Sequence, residues 1–335
     1  MKMLLFDYRE SEHEFFEKNE FKDIDITFFN GPLNEMTRLS EEQLNETDVV
    51  SVFIHSNLTE EVLKKFCNLR VVATRSTGYN HIDLKYCTEK HISVFNVERY
   101  GQTAVAQFTI ALMMALVRNL IPAYLGMQKF LVNHADYEGR NFDNMTIGIL
   151  GGGAIGSAVA KLAHSLGMTV LICSIDKDAE LGKMAEYTDF ETLLEKSDVF
   201  SLHIPYTPEN HHLISKREFK KMKDGVFIIN TARGELVDTV ALYENLQSGK
   251  VKGAALDVLE CEYLTLNETS LSEISETHSK CMTSILATKK LMAMENVIIT
   301  PHIAYNTAES IDTLLETTFN NIRDFAKGMH TNQVC

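Results

Sequence analysis

Short apolar runs rich in β-branched residues alternate with helix-like patterns along almost the whole chain, and this alternation restricts the fold more than any other feature. "MLLF", "DITFF", "VVSVFI", "RVVATRS" and "HISVFN" follow one another within the first hundred residues, separated by charged or amphipathic stretches such as "TEEVLKKFCN". Strands joined through helices pair in parallel, and the helices cover both faces of the sheet. A second series, "MTIGIL", "TVLICS", "DVFSLHIP", "GVFIINTA", "GAALDV" and "NVIITPH", predicts a six-stranded unit after the five-stranded one. At 335 residues the chain is long for a single core, so two α/β domains with doubly wound parallel sheets are expected.

Between the two series lies "TAVAQFTIALMMALVRNLIPAYLGMQKF", with no strand signal and apolar residues on nearly every side. It predicts a helical region buried in the core or against a second copy of the chain. Residues 262–296 are polar and rich in Ser, Thr and Glu, an excursion with some helix before the last strand, and "TAESIDTLLETTFNNIRDFAKG" predicts an amphipathic helix with a Gly stop. No run reaches the roughly 20 apolar residues of a membrane span. The apolar run in "MKMLLFDYRE" is too short for a signal peptide. A cytoplasmic protein with no membrane partner is expected. The net charge of −14 argues against nucleic acid, and any anionic ligand must be met by locally concentrated positive charge. The six cysteines, Cys67, Cys87, Cys173, Cys261, Cys281 and Cys335, show no CxxC spacing and are expected to be reduced thiols. His211 and His212 are adjacent rather than at ligand spacing, and no metal is expected.

"ILGGGAIGSAVAKLAHSLGMTVLICSID" spaces Gly151, Gly153 and Gly156 as GxGxxG. A buried strand precedes it. Ile155, Val159, Leu162 and Leu166 mark one face of a following helix, which Gly167 stops. Strand, glycine turn and helix in that order are the context a dinucleotide fingerprint requires, with the pyrophosphate received at the helix N-terminus. An acid normally closes the next strand and holds the adenosine ribose. Ser174 stands there instead, with Asp176 two residues on. A serine removes the charge that repels a 2′-phosphate, and Asp176 restores one. NAD is the expected cofactor, and NADP stays open.

Three later strands end in polar residues. Arg233 follows "FIINTA"; Asp257, Glu260 and Glu262 follow "GAAL"; His302 follows "VIITP". In parallel sheets ligands gather at such carboxyl ends, so an Arg, a carboxylate and a His can share one crevice. On "TRSTGYNHIDL", "TAVAQFTIALMMALVRN", "GGGAIG", "SDVFSLHIPYTPEN", "NTARGELVD", "GAALDVLECE" and "TPHIAYNT", in that order, the chain resembles the D-specific 2-hydroxyacid dehydrogenases, and among them the D-lactate dehydrogenase branch.

The resemblance implies a substrate domain of residues 1–99 and 300–335, interrupted by a dinucleotide domain of residues 100–299, with the active site in the cleft between two Rossmann-like or flavodoxin-like domains. It implies reversible hydride transfer between NADH and pyruvate, giving D-lactate. Arg233 would bridge the substrate carboxylate and carbonyl, suited to it by a permanently charged fork of donors. His302 would exchange the proton, an imidazole being able to serve as both acid and base. Glu262 would orient that ring, with Glu260 in reserve. Thr77 and Gly78 would hold the substrate carboxylate through backbone N–H groups, Tyr100 would line the site, and Phe53 would shape the side-chain pocket and favour a small group. Gly151, Gly153, Ala154, Ile155, Gly156, Ser174, Ile204, Pro205, Asn210, Thr231, Ala232 and Asp257 would meet the cofactor. The region around 101–120 would join two subunits in a homodimer or higher assembly. Two rival expectations are a larger 2-keto acid, such as 2-ketoisocaproate or phenylpyruvate, and a nucleotide-sensing regulatory protein on the same fold.

Overall fold

The computed structural model describes residues 1–19, 21, 23–131, 133–266 and 281–335. They divide into two units, Met1–Tyr100 with Asn306–Cys335, and Gly101–Tyr305.

The first unit is built on β1 (Lys2–Leu5), α1 (His13–Lys18), β2 (Asp25–Phe28), α2 (Glu41–Glu46), β3 (Val49–Val52), α3 (Glu60–Leu63), β4 (Val71–Thr74), α4 (Leu84–Glu89) and β5 (Ser93–Phe95). All five strands run parallel in the order β2-β1-β3-β4-β5. β3 and β4, "VVSV" and "VVAT", are buried along their whole length, as strands covered on both faces must be. The Ser40 hydroxyl and Gln43 side chain form a capping box that fixes the start of α2, and Asp83 caps α4. The C-terminal helix, Ala308–Ala326, lays Phe319 and Ile322 on Met3, Leu5, Val71 and Phe95. Phe15, Phe16 and Phe21 ring Phe319 at 4.2–6.2 Å. The strand order reverses between β1 and β3, so the crevice at their carboxyl ends, where Asp7 and Phe53 follow, is the natural ligand position of this sheet.

The second unit contains α5 (Gln102–Val117), α6 (Leu120–Gln128), β6 (Thr146–Leu150), α7 (Ala154–Ser165), β7 (Thr169–Cys173), β8 (Glu186–Tyr187), α8 (Phe190–Lys196), β9 (Val199–Leu202), α9 (Lys216–Lys221), β10 (Val226–Asn230), α10 (Thr239–Gln247), β11 (Val251–Leu256), α11 (Glu262–Leu266), α12 (Met282–Met292) and β12 (Val297–Ile299). Its parallel sheet has seven strands in the order β12-β11-β10-β9-β6-β7-β8. The strand missing from the sequence reading is β8, two residues at the sheet edge and too short to carry a period.

The long apolar region is not one helix. Asn119 adopts φ 49°, the left-handed conformation an Asn tolerates, and α6 leaves α5 at 60°. α5 buries Ala106, Ile110, Met113 and Leu116 against Ile147, Val159, Ala163 and Ile229. α6 and its exit instead leave Leu120, Tyr124 and Phe130 exposed at 59%, 61% and 86%. Among the described residues, no single helix is long and apolar enough to cross a membrane.

The chain passes from the second unit back to the first after Tyr305 rather than near 299, so His302 belongs to the second unit. The physical reason is the carboxylate of Asp257. Oδ1 accepts from the Thr300 hydroxyl at 2.6 Å and the Ile303 N–H at 2.9 Å, and Oδ2 accepts from the Ala304 N–H at 2.8 Å. These bonds fasten residues 300–304 to the end of β11.

Candidate active site

The glycine loop occupies the switch point of the second sheet, between the carboxyl ends of β6 and β9. Gly151 has φ 102°, and a Cβ there would sit 2.4 Å from the His203 carbonyl oxygen. At Gly156 a Cβ would lie 1.9 Å from the Gly151 oxygen, so neither position accepts a side chain. Gly153 is the N-cap of α7 and has nothing within 4 Å on its Cβ side. The first turn of α7, beginning with Ala154 and Ile155, therefore offers its N–H groups beside a backbone a pyrophosphate can approach. Ser174 follows β7 directly; a Cβ on Gly152 would be 3.0 Å from its hydroxyl, so the serine borders the loop. Asp176 is exposed. Ile204 and Pro205 follow β9, and Asn210 closes their loop by accepting from the Thr207 N–H at 2.8 Å and donating to the Pro205 carbonyl at 2.9 Å. Thr231 is buried, its hydroxyl 2.8 Å from that of Thr109 on α5. The residues present fit a dinucleotide.

His203 leaves the same switch point, with Nε2 2.8 Å from the Ser201 hydroxyl. Burial pulls its imidazole down to about 3. An unfolded imidazole titrates near 6.5, so between those values the folded state binds fewer protons and loses stability as the pH falls. The full displacement carries nearly 5 kcal/mol at about 1.4 kcal/mol per unit. The residue keeps some exposure, and a loss of about 2 kcal/mol between pH 7 and pH 4 is expected. Urea midpoints at the two pH values measure it. A His203→Gln variant that loses as much stability as the wild type would contradict this assignment.

β10, β11 and β12 are neighbours in register, so the loops that follow them leave adjacent carboxyl ends, about 5 Å apart from strand to strand. Arg233 is in the first loop. Asn230 fixes that loop by donating to the Arg233 carbonyl at 2.8 Å and accepting from the Ala232 N–H at 3.0 Å. Asp257 is in the second loop. Burial pushes its carboxyl above the ordinary range, against the pull of Thr300, Ile303, Ala304 and the nearby His302. Its role visible in the structure is the clamp on residues 300–304, not a contact that the sequence identifies; Asn230 and Thr300 likewise had no sequence signal. His302 is in the third loop at φ 54°, a conformation uncommon outside glycine, held there by the clamp.

His302 Nδ1 lies 2.8 Å from Glu262 Oε1, with both side chains about three-quarters covered. Glu260, the reserve candidate, turns elsewhere. Its Oε1 is 2.7 Å from His212 Nε2, and its Oε2 accepts from Thr239. Burial raises the Glu260 carboxyl, but Thr239 and His212 outweigh it and hold the group below the ordinary range. His211, His212 and Glu260 bring ligand atoms within 4.8 Å of one another. Both Glu260 oxygens are already engaged there, so the cluster is satisfied by hydrogen bonds within the protein. The carboxylate on Nδ1 of His302 leaves Nε2 to exchange a proton with a ligand.

In the first unit Phe53 is buried at the end of β3. Its N–H donates to Asp7 Oδ2 at 3.0 Å, and the Arg9 guanidinium lies 5.2 Å from its ring centroid. The buried Arg75 donates to the Phe6 and Asp7 carbonyls at 2.7 and 3.0 Å, which secures the Asp7 end of this arrangement. Thr77 and Gly78 follow β4. The Thr77 hydroxyl donates to the Val97 carbonyl, Asn96 donates to the Thr77 carbonyl, and the Ser76 hydroxyl donates to the Gly78 carbonyl. The backbone N–H groups of Thr77 and Gly78 have no acceptor among the described residues. Two such donors suit a carboxylate. Tyr100 is the last residue before the second unit.

Residues 110–304 match the model of the D-isomer specific 2-hydroxyacid dehydrogenase NAD-binding domain. The chain is 31% identical over 334 residues to a D-lactate dehydrogenase of Escherichia coli, covering 98% of each. It is 34% identical over 293 residues to an aromatic 2-oxoacid reductase of Clostridium sporogenes, covering 86% of each. A crystal structure of D-lactate dehydrogenase from Aquifex aeolicus complexed with NAD and lactic acid superposes with a TM-score of 0.86 at 36% identity, covering 99% of this chain and 98% of that one.

Proposed function

The chain belongs to the D-isomer specific 2-hydroxyacid dehydrogenases, oxidoreductases that use NAD(H), and on that footing we propose that it reduces pyruvate to D-lactate with His302 as proton donor. The observation that carries the reading is the His302–Glu262 pair at 2.8 Å, in the loop next to that of Asp257 and one strand further from Arg233. The bound nicotinamide supplies the hydride. Arg233 holds the substrate carboxylate and draws electron density from the carbonyl. His302 delivers the proton from Nε2 to the oxygen at C2, while Glu262 on Nδ1 stabilises the charged ring and fixes its plane. In the reverse direction neutral His302 takes the hydroxyl proton.

Pyruvate is favoured over larger keto acids by Phe53, whose ring stands at the carboxyl end of β3 beside the switch point. The aromatic 2-oxoacid reductase among the relatives keeps the larger substrates in play. A panel of pyruvate, 2-ketoisocaproate and phenylpyruvate, run with NADH and with NADPH, tests both choices. Pyruvate should give the highest kcat/KM. Phe53→Ala should shift the ratio toward the bulky substrates by about tenfold, as expected for a pocket enlarged by several methylenes. An unchanged ratio would remove Phe53 from the pocket. With Ser174 bordering the glycine loop and Asp176 close behind, NADH should be preferred, but with NADPH retaining measurable turnover.

A homodimer formed through α6 is supported by its apolar residues Leu120, Tyr124 and Leu125, which stand exposed. Light scattering should give twice the chain mass for the wild type and one chain mass for Leu120→Glu with Tyr124→Glu. A wild type that stays monomeric at micromolar concentration overturns this assembly.

A further inference from the structure

Cys261 and Cys281 are joined by a disulfide, 20 residues apart in sequence with Cα atoms 5.9 Å apart. The expectation of six reduced thiols does not hold for this pair, which no short spacing announces. In reducing compartments such bonds are uncommon, and those that occur are usually transient, catalytic or redox-sensing. Both cysteines are partly exposed. Cys87, by contrast, is buried, and its thiol is pushed up to about 12.

The position of the bond matters. Cys261 directly precedes Glu262, the first residue of α11 and the partner of His302. It is held at φ 51°, which a non-glycine residue seldom adopts. Its carbonyl accepts from the Leu264 and Thr265 N–H groups and the Thr265 hydroxyl, and these bonds open α11. Cys281 is the N-cap of α12, whose Ser284, Ile285, Ala287, Thr288 and Leu291 are buried. The bond therefore ties the residue beside Glu262 to a helix rooted in the core of the same unit.

We propose that Cys261 and Cys281 form a redox-active pair that governs whether Glu262 is held on His302, a role that rests on the catalytic reading above. In the oxidised chain the disulfide keeps Cys261 in its left-handed conformation and α11 in register. In the reduced chain Cys261 relaxes, the carboxylate leaves the imidazole, and His302 loses its orientation. The reductant is a dithiol. One of its thiolates attacks a sulfur of the pair, breaking the S–S bond and forming a mixed disulfide; its second thiol displaces the remaining protein sulfur. Two electrons and two protons pass to the protein, which ends as two thiols, and the dithiol ends as a cyclic or internal disulfide.

The full-length enzyme is treated with dithiothreitol or with oxidised glutathione, and the state of each cysteine is read by alkylation and peptide mass. On reduction kcat for pyruvate should fall by about tenfold or more, part of the roughly 10²–10⁴ that a positioned acid–base group contributes. Affinity for NADH, read by fluorescence, should stay unchanged, and reoxidation should restore turnover. Cys281→Ser should match the reduced wild type under both treatments. Glu262→Gln should be slow and indifferent to redox state. Equal turnover in two mass-verified states overturns the switch alone, as does a pair that stays alkylatable after oxidant. Absence of keto-acid turnover in both states overturns the catalytic reading and the switch with it.

Discussion

Replacing His302 with glutamine is expected to lower kcat for keto-acid reduction by about 10³, within the roughly 10²–10⁴ range of a positioned general acid. Glutamine can donate an N–H to Glu262 Oε1, which otherwise would be left half-buried without the partner it has at 2.8 Å. It cannot carry a proton to the substrate oxygen and be recharged from solvent. The backbone at this position is fixed independently of the side chain, since the Asp257 carboxylate holds the Ile303 and Ala304 N–H groups. The fold and the glycine loop should therefore survive, and NADH affinity should match the wild type. The loss should appear in the rate at saturating pyruvate rather than in KM, because the proton moves only in the transition state. Steady-state decay of NADH absorbance measures the rate, and NADH fluorescence measures cofactor affinity. Retention of more than a tenth of wild-type kcat would exclude His302 as the proton donor.

Much of this site was legible before any coordinates. Eleven strands announce themselves as short apolar runs between helix-like stretches, and the glycine spacing needs only the strand before it and the helix after it to acquire meaning. Arg233, Glu262 and His302 could be nominated because each follows a strand of the same sheet, and parallel pairing then brings the strand ends together without further information. The choice between Glu260 and Glu262 was not decidable from composition or spacing. Both are acids within a short stretch, and the decision lies in the turn at Cys261, whose left-handed φ sends one carboxylate to His302 and the other to His212 and Thr239. The break of the long apolar helix turns on one backbone angle at Asn119, and the edge strand β8 is two residues long. The disulfide joins cysteines from the ends of a polar stretch with weak periodicity. In each case the deciding interaction is local geometry or a long-range pairing, to which residue periodicity is blind.

Arg233→Gln is expected to lower kcat/KM for pyruvate by about 10⁴, the largest effect of any single change apart from loss of the cofactor site. Two contributions add. A charge-assisted hydrogen bond to the substrate carboxylate contributes about 1.5–3 kcal/mol. A donor aimed at the developing oxyanion contributes roughly another 2.7–4 kcal/mol. Together they give about 5.6 kcal/mol, and each 1.4 kcal/mol is tenfold. Arg233→Lys separates the two, since it keeps the charge and loses the planar fork. KM should then rise by about tenfold while kcat falls by a similar factor. The backbone does not move to compensate. Gly234 packs so closely that a Cβ there would lie 2.0 Å from the Leu259 carbonyl carbon, and Asn230 holds the Arg233 carbonyl from the other side. One guanidinium nitrogen already donates to the Ala232 carbonyl at 2.6 Å, which sets the orientation of the group and leaves its other donors for the substrate. The two variants behave alike if the assignment is wrong. A surface arginine would give wild-type kinetics in both, and a purely structural one would lower the melting temperature of both and depress NADH binding alongside turnover. Loss of kcat/KM in Arg233→Gln smaller than tenfold, at unchanged melting temperature, would take the substrate away from this residue.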